Sequence, residues 1–323
     1  MRVNAIPSAR PLPVRRRLGD RLGDWLLYGL TAAATVASVV LLGAIVWKIF
    51  EVAWPAIQKF GLDFVTSQGW DVQKNVFGAL DFIWGTAITS FLALLIAAPV
   101  SIAIGLYLSE LAPSGLRWLI ASLVELLAAI PSVVLGLWGI LVLGPLVGKH
   151  LGPFLHDYFG FIPFFSGTPQ NAGILVAVLV LTIMIVPICS SICRELFMSV
   201  PAELEEGALA LGATRWEMVR GVILPFTRTG VSAALILGLG RAVGEAIAVT
   251  QVIGAGSGIH WSLFRTGDTL ASRIAGQYQG AATNLQIASL VYLAVVLLVI
   301  SLVVNLAAQV IVRRFSYERL GQK

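Results

Sequence analysis

The stretch Gly238-Leu239-Gly240-Arg241-Ala242-Val243-Gly244-Glu245 sets a guanidinium and a carboxylate four residues apart, inside an apolar run from about Pro225 to Gly254. On a helix that spacing puts both charges on one face. Arg241 lies about 24 Å beyond Pro225 if the run is helical, which is deep inside a bilayer. A charge there costs about 2.5–3.5 kcal/mol on insertion scales, so it faces a cavity or a partner. A guanidinium matches oxyanion geometry and stays charged at any physiological pH. On one reading, Arg241 lines a passage and attracts an oxyanion, while Glu245 holds it between transport events. On the other, the pair only locks two helices together. Ser132, beside Pro131, is a further candidate anion contact. Gly240 and Gly244 form a small-xxx-small pair that lets a second helix approach closely.

The composition places these residues in a membrane. The chain has 323 residues, 58% of them hydrophobic and 12% charged, with a mean hydropathy of +0.88. Soluble domains carry roughly 25% charged residues, so this chain cannot cover a water-facing surface. An all-α, multi-span membrane protein is expected. The net charge of +5 does not mark a nucleic-acid binder, because the basic residues flank apolar spans rather than forming a stripe. Cys189 and Cys193 lie at i, i+4 in an apolar stretch and read as small buried residues. The sequence holds no Gly-x4-Gly-Lys-Ser/Thr run, so it has no such motif to cradle ATP phosphates itself. No metal-ligand cluster, cofactor motif or nucleophile–base set stands out.

Six apolar segments are long enough to cross a bilayer: about 25–50, 82–110, 116–147, 170–195, 225–254 and 285–312. The division expected is an N-terminal arm, 1–24, and a membrane domain, 25–323. The first segment is too long and lacks a cleavage site for a signal peptide. Lys and Arg crowd the segments that share a side with the N-terminus, among them Arg15–Arg17, Arg215, Arg220, Arg228, Arg313 and Arg314. The opposite side holds only Lys48, Lys59, Lys74, Lys149, Arg265 and Arg273. Both termini are therefore expected in the cytoplasm. The outer loops, roughly 51–81, 148–171 and 255–284, suit short interfacial elements, and His150, His156 and His260 fall in them. Pro99, Pro131 and Pro187 predict kinks in spans two, three and four. Glu125 falls near the inner end of span three.

The inner loop between spans four and five, about 200–224, is the most informative. Pro201 with Glu203, Glu205 and Glu206 suits a helix N-terminus. Leu204, Ala208 and Leu211 continue an apolar face at helical spacing, and Gly212 ends the helix. Trp216 and Val219 then begin a second short helix that is expected to end near Pro225. Such a unit either projects as a knob that docks into another protein or lies flat on lipid. The carboxylates beside the apolar face argue against anionic lipid.

Glu206, Gly207, Ala208, Gly212, Val222, Leu224 and Pro225 resemble the EAA signature of ABC-importer permeases, with Gly207 standing for the first Ala and Val222 for Ile. The Leu239–Glu245 run resembles that of phosphate-specific ABC-importer permeases. So do Ala128–Gly139, Gly85-Thr86 with Ser90, Ser262-Leu263-Phe264, and Thr269–Ser272. This resemblance covers roughly 25–315. It implies a type I importer permease fold with a cytoplasmic coupling helix, in the plasma (inner) membrane. It implies inorganic phosphate as cargo, and Arg241 and Glu245 as the charged pair of its passage. Glu203, Glu206, Gly207, Ala208, Leu211, Gly212 and Ala213 are then the contacts to an ATPase. The implied partners are a homologous PstA-type permease, two PstB-type ATP-binding subunits and an external phosphate-binding protein. Two alternatives stay open: another oxyanion such as sulfate or molybdate as cargo, and an ion-coupled secondary transporter.

Overall fold

The computed structural model describes residues 18–317. Most of the expected arm, with Arg15–Arg17, lies outside the described residues, as do Arg319 and Lys323. Six helices have the length and apolarity to cross a membrane. The first, α1 (Leu18–Phe60), passes through two compact units that divide after Glu51. The described residues of the first unit form one helix, whose side chains from Gly23 to Glu51 are almost all exposed. Everything below concerns the second unit, from Val52.

After α1 comes a short hairpin, β1 (Trp70–Asp71) paired antiparallel with β2 (Val76–Phe77). The Asp71 carboxylate accepts from the backbone N–H groups of Gln73 and Lys74 at 2.9 and 3.0 Å, which shapes the turn. Span two is α2 (Leu80–Leu111), whose last residues, Tyr107–Leu111, widen into a π turn. An amphipathic helix follows, α3 (Ser114–Ala129). Span three is α4 (Ser132–Phe159) and span four is α5 (Ile174–Met198). The inner loop contains α6 (Ala202–Ala210). Span five is α7 (Arg215–Gly244), followed by a short α8 (Ile247–Val252). Between α8 and span six sits α9 (Leu270–Gln277), and span six is α10 (Asn284–Tyr317).

The centre of the bundle is α5, with 72% of its apolar window buried. It packs against α2, α3 and α7, while α8 packs against α4 and α9. Small residues permit these approaches. A Cβ at Gly238 of α7 would meet Cys189 Sγ of α5 at 2.7 Å, and one at Gly230 would meet Leu196 at 2.5 Å. Cys189 and Cys193 are free and fully buried at this seam, as expected. The expected pair Gly240 and Gly244 plays a smaller part: Gly240 faces Asn305 of α10 at 3.9 Å, and nothing approaches Gly244.

Three of the expected boundaries are corrected. The segment 116–147 is not one span: the chain is extended at Ile130 and Pro131, so α3 ends there and the crossing helix starts at Ser132. Proline disfavours helical backbone in the residue before it and has no N–H to donate, which turns the expected kink into a break. Pro99 and Pro187, by contrast, lie within continuous helices. The helix that begins at Arg215 does not end near Pro225. A π turn at Val219–Ile223 absorbs the hydrogen bond that proline cannot make, and the helix continues to Gly244. Span five then stops at Glu245, which is extended (ψ 117), well before the expected 254.

Candidate functional site

Two chain breaks lie side by side. A Cβ at Gly136 of α4 would sit 2.8 Å from Ala248 Cα, and one at Gly139 would sit 2.8 Å from Val252 of α8. Residue numbers rise together, so the two helices run parallel. Ser132 opens α4 four residues before Gly136, whereas α8 opens at Ile247, one residue before Ala248, so α4 begins about one turn earlier. Gly139 also meets Val180, about 9 Å along α5 from Ile174. Ser132 lies about 10 Å deeper, near the middle of α5, whose length is about 37 Å.

Arg241 belongs to the last turn of α7, and its side chain is exposed in the single subunit. Glu245 is not one turn further on the same helical face, because the helix has ended. Its carboxylate instead accepts from the Ala248 N–H at 3.3 Å and caps α8. Among the described residues no ion pair joins Arg241 to Glu245. The structure therefore sets the start of α4 beside α8 and leaves Arg241 exposed, with no ion-pair partner among the described residues. Gln251 was missed by sequence reading. Its Oε1 is buried without a partner, wedged against Gly136.

The segment between spans four and five has the expected helix-turn-helix outline. Glu203 and Glu205 stand in the first turn of α6, where the helix dipole favours them. Gly212 ends it at φ +87, a conformation that favours glycine. Thr214 and Glu217 close a capping box at the start of α7. The apolar face is distributed differently from expectation. Glu205 and Ala208 are half-buried and Ala213 is likewise, whereas Leu204 (47%) and Leu211 (91%) point outward with Glu203, Glu206 and Gly207. A cleft of about 440 Å³ runs between α6, the start of α7 and the end of α2, lined by Glu110, Glu205, Leu209, Arg215 and Trp216. Partial burial and the neighbouring Glu110 charge push the Glu205 carboxyl above the ordinary carboxylate range. Glu125 lies on α3, 4.0 Å from Arg194 of α5, as one partner of a surface ion pair.

At the opposite end of α5, one of the cations counted in the expected outer segments is buried. Arg273 of α9 sets its Nε 2.9 Å from Asp268 Oδ2, with both side chains under 10% exposed. The guanidinium also covers the Phe82 ring at 4.6 Å. Asp81, in the first turn of α2, adds its charge and accepts from the Gly258 N–H at 2.9 Å. Asp268 in turn accepts from Ser272 Oγ and the Thr269 N–H. Gly85, Thr86 and Thr269–Ser272, singled out above, meet in this cluster: Leu270 N–H donates to Thr86 Oγ1 at 3.0 Å. Neither Asp81 nor Asp268 carried a signal of its own in the sequence.

Residues 101–317 match the family model described as binding-protein-dependent transport system inner membrane component. The chain belongs to that family. A relative from Mesorhizobium japonicum, the phosphate transport system permease protein PstC, is 40% identical over 316 residues, covering 97% of this chain and 96% of the relative. The PstC protein of Xylella fastidiosa is 40% identical over 318 residues, covering 96% and 97%. Two solved structures share the fold. A bacterial alginate ABC transporter in complex with its alginate pentasaccharide-bound periplasmic protein superposes with a TM-score of 0.61 at 21% identity, covering 93% of this chain and 98% of that one. A bacterial ABC transporter for import of alginate gives 0.55 at 23%, covering 92% and 98%. The permease is thus a multi-pass membrane transport component with the ABC-importer permease fold. The expected fold class and family are both borne out.

Proposed function

We propose that this permease subunit carries inorganic phosphate into the cytoplasm, driven by ATP hydrolysis on separate subunits. A homologous second permease completes the pore, and an external binding protein delivers the anion. The membrane domain begins near residue 25, both termini are cytoplasmic, and the coupling loop 200–224 meets the ATPase. The cargo is supported by the names of the relatives, which are phosphate permeases over nearly the whole chain. The observation that carries the mechanism is the exposed guanidinium of Arg241 in the last turn of α7, with no ion-pair partner among the described residues. Fixed donors at that depth replace the hydration shell that phosphate sheds. Arg241 meets the anion first in this scheme, and Ser132 adds a hydroxyl donor. Glu245, holding α8 by its cap, presents a negative charge that keeps occupancy transient rather than tight.

At the inner face, Glu203, Glu206, Gly207, Leu211 and Gly212 form the surface that the ATPase grips, with Ala208 and Ala213 seating the knob on α7. Rigid continuity through the π turn at Val219–Ile223 carries a push on the knob directly into the helix that bears Arg241. Uptake of labelled phosphate by cells lacking their own system, expressing the complete complex, tests the reading. Uptake of sulfate or molybdate instead assigns another cargo. Co-purification with an ATPase that is lost on deleting Glu206–Gly212 separates this mechanism from an ion-coupled secondary transporter.

A further inference from the structure

At the end of α5 opposite the knob, a cleft of about 570 Å³ opens between the turn 163–170 and the loop 259–265. Its polar walls come from Ser166, Thr168, Gln170, His260 and Arg265, with Trp261 at the rim, and no carboxylate lines it. Its walls are held by backbone bonds, unlike ordinary loops. Leu263 N–H donates to Phe164 O at 2.9 Å, Leu175 N–H to Leu263 O at 2.8 Å, and Ile174 N–H to Arg265 O at 3.0 Å. Ser262 Oγ donates to Ser166 O at 2.5 Å, and Trp84 Nε1 to His260 O at 3.1 Å. The Trp261 ring packs edge-on against Trp84 and Phe164, at 4.7 and 5.8 Å, yet remains 57% exposed. Arg265 Nη1 donates to His260 Nδ1 at 3.2 Å, which fixes one edge of the guanidinium. Among the described residues no acid pairs with Arg265, and its side chain is exposed.

We infer that this cleft seats a carboxylate side chain of the external binding protein, with Arg265 as its charged anchor and Trp261 as its apolar one. The inference rests on the topology proposed above, which puts this end of α5 outside. The family depends on a binding protein by its own description, so a partner for the outer face is required. Trp and Arg dominate binding energy at protein interfaces, and a guanidinium already fixed along one edge loses little freedom when it meets a carboxylate. A rigid wall makes the seat a preformed socket, in which the charge steers encounter and sets orientation. Free phosphate would leave the exposed indole without a role.

The test uses the assembled complex in nanodiscs and the purified phosphate-binding protein, with association followed by interferometry at low and high salt. Arg265→Glu is expected to weaken association at least about tenfold and to abolish its salt dependence. Trp261→Ala is expected to weaken it with the salt dependence intact, and unstimulated ATP hydrolysis should be unchanged in both. Arg265→Gln, which preserves polarity, guards against misfolding and should fall between. One Asp or Glu of the binding protein, changed to Arg, should restore association with the Arg265→Glu complex. Equal association of wild type and Arg265→Glu overturns the inference. So does binding of labelled phosphate to the complex alone that Arg265→Glu removes, since the cleft would then be an anion site. An impermeant thiol label that reaches Thr168→Cys only from the cytoplasmic side overturns the topology and the inference together, which separates the two failures.

Discussion

Arg273 and Asp268 form an ion pair at 2.9 Å in which both side chains are almost wholly withdrawn from solvent. The pair ties α9 to the N-terminal end of α2, through Asp81 and the Phe82 ring. Two desolvated charges are tolerated only together. Arg273→Ala or Asp268→Asn alone should destabilise the domain by about 3–5 kcal/mol, because each leaves a partner buried and uncompensated. The double change Arg273→Met with Asp268→Leu should recover only part of that loss, because Asp81 stays buried without the guanidinium. Thermal unfolding in detergent checks the order of the three variants.

Gly85 gives a second test of the same cluster. A Cβ there would meet the Asp268 carbonyl oxygen at 1.9 Å, and backbone cannot move aside as a side-chain tip can. Gly85→Ala is expected to cost about 1–3 kcal/mol by overpacking, although alanine is the better helix former. A melting temperature equal to that of the wild type would contradict the packing described here.

Glu205 predicts a pH dependence for the inner knob. Its carboxyl is pushed above 4.5, first by burial and then by Glu110. The folded knob therefore binds this proton more tightly than the unfolded chain does. That contribution to stability is whole below about pH 4.5 and is lost as the pH rises through the raised value. Glu205→Gln should match the wild type at low pH and exceed it towards neutrality. Melting curves of the two proteins across that range show whether they diverge in this direction.

Gly212 turns the chain at φ +87, with open space around its Cα. Gly212→Ala therefore meets no clash but costs about 1–2 kcal/mol in backbone strain. The expected result is a partial loss of the co-purifying ATPase, with the melting of the membrane domain little changed.

Arg241→Gln should remove phosphate uptake while the complex still assembles, because among the described residues no ion pair holds its guanidinium. Glu245→Gln keeps an oxygen that can accept from Ala248 N–H, so α8 should survive, whereas Glu245→Ala should cost about 0.5–2 kcal/mol as a lost cap. Uptake assays beside melting curves separate the two roles of Glu245. Normal uptake by Arg241→Gln would refute its place in the passage.

Much of this protein is written locally. Apolar runs of about 20 residues dictate helices across a bilayer, because every backbone group must be satisfied within the segment. The Gly212 turn, the glutamates that open α6 and the depth of Arg241 likewise follow from neighbours in the chain. Other features were decided by distant contacts. Pro131 breaks its helix while Pro99 and Pro187 do not, and Pro225 is bridged by a π turn, although all four are the same residue in apolar surroundings. Asp81 and Arg273, far apart in sequence, share one buried cluster only because α2 and α9 meet. Glu245 left the face of Arg241 because the chain turned to pack α8 on α4. Hydropathy and spacing act over a few residues. The cost of burying a charge, or the satisfaction of a freed carbonyl, depends on what the folded chain brings beside it.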